Sequence, residues 1–157
     1  MNLPNGVTGF HSSIDNKPNE IDEKQFKDIC FNLVRKNQGR ILDIDESNLA
    51  TNFLKVKVNI CNREMYVLLN AYYPFLAFAS TVEFQHLNFI DDPVLSKVFM
   101  PFYKVLSKEE LNEPLDIRKS KGKVSLENKN KLNSSELEQI LYWQPKKVGE
   151  VIFNFWD

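Results

Sequence analysis

The sequence predicts an α+β domain, a mainly antiparallel sheet of about five strands packed against two main helices and two short ones. Three observations carry this. One apolar stripe at helical spacing runs from Phe26 to Val34. Between Leu54 and Ile90, apolar segments follow one another across connections too short for a parallel crossover, so neighbouring strands run antiparallel. Helical and strand signals come in blocks (helix, several strands, short helices, helix, strand) and do not alternate as in a doubly wound fold.

At 157 residues, with 43% apolar and 26% charged side chains, the chain has enough material for one core and excludes wholesale disorder. The expected organisation is one domain over 1–157, with a turn-rich arm at 1–20 and a mobile basic loop at 116–131.

In the arm, Leu3-Pro4-Asn5-Gly6 is a turn: proline presets φ, and asparagine and glycine accept positive φ. Leu3, Val7, Phe10 and Ile14 pin the arm to the body. The first helix is expected at about 23–37. Asp22 is its N-cap, Gln25 completes a capping box, and Ile21 with Phe26 forms a staple. Phe26, Ile29, Cys30, Leu33 and Val34 make its buried stripe, and Gly39 ends it.

Leu54, Val56, Val58 and Ile60 alternate with Lys55, Lys57 and Asn59, a strand with one wet face. Cys61 to Glu64 turns the chain. The nearly continuous apolar run Met65–Asn70 predicts a central strand covered on both sides. Tyr73-Pro74 breaks or bends it, and Phe75–Ser80 and Thr81–Ile90 supply one or two further strands.

Asp91-Asp92-Pro93 starts a short helix that Pro101 ends. Ser107–Glu110 and Asn133–Glu136 are capping boxes. Leu106 with Leu111, and Leu132 with Leu137, are their staples. The second box opens a helix at 134–143, bounded by Pro145 and Gly149. Val151, Phe153 and Phe155 alternate with Ile152, Asn154 and Trp156 and predict a final strand inside the sheet. Residues 116–131 read as a loop, with a short strand near Val124.

Function is less marked. The net charge of -1 provides no global field for nucleic acid or an anionic membrane. The apolar stretch Tyr66–Phe78, broken by Asn70 and Pro74, is too short to span a bilayer. No basic segment leads into an apolar run at the start, so no signal peptide is read and the cytoplasm is the expected location. Two cysteines, Cys30 on a helix face and Cys61 in a turn, do not make a disulfide framework. With two histidines set apart, no closed zinc site forms, and neither metal nor cofactor is expected.

Two readings remain. The first is a non-enzymatic protein-interaction module for a basic partner, with Asp43, Asp45, Glu46, Asp91 and Asp92 as the acidic surface. Asp43 and Asp45 share a strand face and would also suit Mg²⁺, but such acids more often discourage pairing at an exposed edge. The Asn- and Lys-rich composition resembles that of AT-rich Gram-positive bacteria. Small bacterial α+β domains without catalytic residues include immunity proteins that block toxins, which the resemblance would make the partner class. The second reading is a small-ligand binder or minor enzyme with an aromatic pocket around His86, Tyr73 and Phe84. In a continuous strand Glu83, three residues from His86, lies on the opposite face and gives it no carboxylate. Gly6-Val7-Thr8-Gly9 offers backbone N–H groups to an anion but lacks the context of a P-loop.

Overall fold

The computed structural model describes residues 1–11, 19–44 and 50–156. Five antiparallel strands run side by side in chain order: β1 (Arg40–Ile44), β2 (Phe53–Ile60), β3 (Arg63–Asn70), β4 (Phe75–Glu83) and β5 (His86–Ile90). A two-residue strand, β6 (Lys104–Val105), lies parallel beside the start of β4. Short connections make this meander. Cys61 and Asn62 join β2 to β3 with φ of 55° and 60°, the left-handed pair that a two-residue hairpin requires.

Helices α1 (Glu23–Lys36) and α2 (Pro93–Phe99) cover one face of the sheet. There Phe26, Cys30 and Val34 meet Val56, Val58, Met65, Val67 and Leu69, and Leu95 and Phe99 close over Leu76 and Phe78. The other face carries α3 (Lys108–Leu111), α4 (Ser134–Trp143), α5 (Val148–Ile152) and the N-terminal arm. Leu68, Ala77, Ala79 and Phe89 pack there against Val7, Leu111, Ile140 and Val151. β3 is third of five strands and buried on both sides, as its unbroken apolar run implied. The caps form where the sequence put them. Asp22 accepts from Gln25 N and Asp92 from Leu95 N, and the boxes at Ser107–Glu110 and Asn133–Glu136 both close. Among the described residues no helix is long and apolar enough to cross a membrane.

Three expectations are corrected. Residues 116–131 are not a loop. They contain a hairpin, β7 (Ile117–Ser120) and β8 (Lys123–Leu126), turned by Lys121 and Gly122 at positive φ. Its lysines mask the strand pattern, because only Ile117, Val124 and Leu126 turn inward to any degree. The final strand is instead the helix α5 followed by an extended tail, Phe153–Trp156, that lies on the sheet and not in it. A short apolar run buried all round has no period to separate helix from strand. Gly149 fits this helix: a Cβ there would stand 2.3 Å from Phe89 Cε2 and 2.9 Å from Leu111 O. Third, the division between β4 and β5 falls at Phe84-Gln85, not at Ser80-Thr81, where the pairing only shifts register.

Arm and tail have no full strand ladder, so buried side chains satisfy their backbone. Asn52 and Asn70 each donate through Nδ2 to both Val7 O and Ile152 O, at 2.7–2.9 Å. Asn70 Oδ1 accepts from Tyr72 N and Tyr73 N. Asn154 donates to Thr8 O and Val151 O, and its own N–H reaches Asn52 Oδ1. All three amides are at most 4% exposed. Glu136, fully buried, does a second task besides its capping box. Its carboxylate accepts from Gly6 N, Thr8 N and Thr8 Oγ1 at 2.6–3.0 Å. Two backbone N–H groups of the Gly6–Gly9 turn, those of Gly6 and Thr8, are therefore taken by an acceptor of the protein's own.

Asn70→Ala leaves two part-buried N–H groups without an acceptor and two buried carbonyls with one donor fewer, and is expected to cost about 3 kcal/mol, read from urea unfolding. Asn70→Asp keeps the shape but sets a carboxylate oxygen against two carbonyls, and should cost more at neutral pH. A measured loss below that of an ordinary surface substitution would dismiss the network as structural support.

Burial pushes the Cys30 thiol from 9.0 to about 12, whereas Cys61 is exposed. Burial, then the neighbouring Cys30 and Asp22, pushes Tyr103 from 10.0 to about 12. The unfolded chain releases these protons near their ordinary values while the folded chain keeps them. Stability is therefore intact below about pH 9 and falls as pH rises toward 12. A thiol reagent at pH 8 should modify Cys61 promptly and Cys30 only after denaturation. Rapid reaction of both in the folded protein would contradict this burial.

Candidate functional site

The β4–β5 hairpin lies beside the end of α4 and the C-terminal tail. Between them lies a cleft of about 440 Å³. Gln85, His86 and Leu87 line its hairpin side. Trp143 to Lys147 line a second side, and Glu150 with Phe153 to Trp156 form the rest. The Asn52–Asn154 hydrogen bonds hold the tail in place, so the knot of buried amides fixes one wall of the cleft.

The walls are aromatic. Trp143 is half-buried and donates its indole N–H to Gln139 Oε1 at 3.0 Å. Phe155 meets Phe53 edge-on at 5.4 Å and Phe84 at 5.6 Å. Trp156 packs on Phe10 at 6.4 Å and is 7% exposed. Its indole N–H finds no acceptor among the described residues.

Polar groups are set among these rings. Lys147 donates from Nζ to Leu87 O at 3.3 Å and Asn112 Oδ1 at 3.1 Å, and stands 5.1 Å over the Phe89 ring. Both acceptors are neutral, and no carboxylate of a described residue pairs with this ammonium. Glu150 Oε2 takes Lys146 N at 2.7 Å. Gln144 donates to Leu141 O, and Asn154 is fully engaged in the amide knot. His86 and Gln85 are exposed, and their side chains make no hydrogen bond to a described residue.

Two lips of the cleft carry glutamine in left-handed backbone, Gln85 at φ 57° and Gln144 at φ 51°. A residue with a Cβ costs about 1–2 kcal/mol in that region, where glycine costs nothing sterically. Gln144 offsets this through its bond to Leu141 O. Gln85 has no such bond.

The residues singled out by sequence fall in different places. His86 lines the cleft, and Phe84, 68% exposed, stands at its edge against Phe155. Tyr73 is elsewhere: its hydroxyl donates to Asn5 O and its ring stacks on Phe75, so it fastens the arm. Glu83 is not on the far face from His86. The Phe84-Gln85 turn makes them direct cross-strand partners, both exposed.

Asp92 is 3% exposed, caps α2 and pairs with Arg63 at 3.1 Å, so its carboxylate serves the fold and is not open to a partner. Asp91 accepts from Lys108 N at the start of α3. Asp43 is solvated on the edge strand β1, next to a bulge. Asp45 and Glu46 lie outside the described residues, among which no group of three or more His, Cys, Asp or Glu side chains gathers to hold a metal.

Sequence reasoning missed Lys147, Trp143 and the tail as parts of one site. The signal for Lys147 was faint, a lysine between Pro145 and an apolar run. Comparisons with protein families, with curated proteins and with solved structures each found no match to the chain.

Gln85→Gly removes the left-handed strain and is expected to raise stability by up to about 1 kcal/mol, since glycine's own entropic cost offsets part of the gain. Chemical denaturation checks it. A clear loss would mean that the Gln85 side chain holds the hairpin together.

Proposed function

We propose that this chain is a non-catalytic binding module and that the cleft beside His86 is where it binds. The observation that carries the reading is a concave, ring-walled space of about 440 Å³ in which some polar groups are left over by the fold. Its size falls in the small-ligand range of roughly 300–1,000 Å³, and a few polar groups set in apolar walls are the usual makeup of such sites. His86, Gln85 and the Trp156 N–H all retain unused hydrogen-bonding capacity among the described residues. The non-catalytic part rests on the lining, which among the described residues holds no serine, threonine or cysteine as nucleophile.

The chain has two tryptophans, and both line the cleft. A ¹H–¹⁵N spectrum therefore carries two indole signals, which Trp143→Phe assigns. Titration with phenylacetate, phenylacetamide and phenethylamine should move the indole signals saturably for at least one compound, and Phe155→Ala should weaken that binding. If none of the three moves either signal, the cleft is not a binding site for small aromatic molecules and the reading fails.

A further inference from the structure

The donor and acceptor inventory of the cleft goes further than its shape. Two of its groups are donors only and keep capacity that no described residue uses. The Trp156 indole N–H is a donor only, on a side chain that is 7% exposed, and it lacks an acceptor among the described residues. The Lys147 ammonium has three donors, of which two reach neutral oxygens. Some of the acceptors are engaged. Glu150 takes Lys146 N, and the Asn154 carbonyl takes Trp156 N. Two lysines face one glutamate along the lining, so the formal balance is positive.

We infer that the cleft takes a small aromatic carboxylate, its ring between the Trp143, Phe155 and Trp156 side chains and its carboxylate on the Lys147 ammonium and the Trp156 N–H. This rests on the cleft being the binding site. A carboxylate supplies only acceptors, which is what the unpaired donors lack, and it adds the counter-charge that the fold denies Lys147. The walls supply offset and edge-on partners for a ring. An aromatic amine fits worst, since it brings a second cation and only donors. A neutral amide fits between the two, with one acceptor oxygen.

The experiment is the indole titration ranked by compound. Phenylacetate should bind most tightly, about tenfold or more above phenylacetamide, as a charge-assisted bond outweighs a neutral one. Phenethylamine should be weakest. Lys147→Gln keeps a donor for Leu87 O and Asn112 while removing the charge. It should bring phenylacetate down to the level of phenylacetamide and leave phenylacetamide nearly unchanged. If phenylacetamide or phenethylamine binds as well as phenylacetate in the unaltered protein, the carboxylate class is wrong and the cleft stands as a site. If phenylacetate binds best but Lys147→Gln does not weaken it, the assignment to Lys147 is overturned. If no compound binds, the site reading falls and this inference with it.

Discussion

Everything on the second face of the sheet hangs on two carbonyls. Val7 O and Ile152 O each accept from both Asn52 and Asn70, and all of these groups are shut away from water. A buried carbonyl needs a donor, and an arm and a tail that join no ladder cannot find one in a neighbouring strand. Asparagine amides at the ends of β2 and β3 provide it. In this way the sheet's own terminal residues clamp the segments that cover it. The tail so held is also a wall of the cleft, which places the binding surface on a part of the chain with little secondary structure of its own.

The elements read best from sequence are those where a local rule and the tertiary structure agree. Asp22, Asp92, Ser107 and Asn133 cap as expected because capping is settled within four residues. The wet alternation of β2 and the dry run of β3 reflect an outer and a central place in the sheet. Reading failed where burial removed the period, in Val148–Trp156, and where exposed lysines hid it, in Ile117–Leu126. The buried amides were illegible for another reason: an asparagine in sequence looks like a turn or a wet surface, and nothing local says that backbone carbonyls from distant segments await it.

The site shows the same division. His86 was identifiable by residue type, but its neighbours come from residues 143–156, and only the fold assembles them. Placing the turn four residues too early put Glu83 on the wrong face. The acids at 91–92 carried two readings at once, helix cap and partner surface. Asp92 is committed to the α2 cap and to Arg63, whereas Asp91 is exposed and accepts from Lys108 N.

The amide knot also sets an order of events in the cell. Thr8 O receives its bond from Asn154, 146 residues later in the chain. A ribosome adds roughly 5–20 residues each second, so the arm emerges about seven to thirty seconds before the residue that fastens it exists. During that interval the apolar surface of Val7 and of the open face of β3 must remain exposed or be shielded by other means. Such long separations between partners also slow the search for the native pairing once synthesis is complete. A nascent chain of this protein therefore keeps that surface without its native cover until Asn154 has been made.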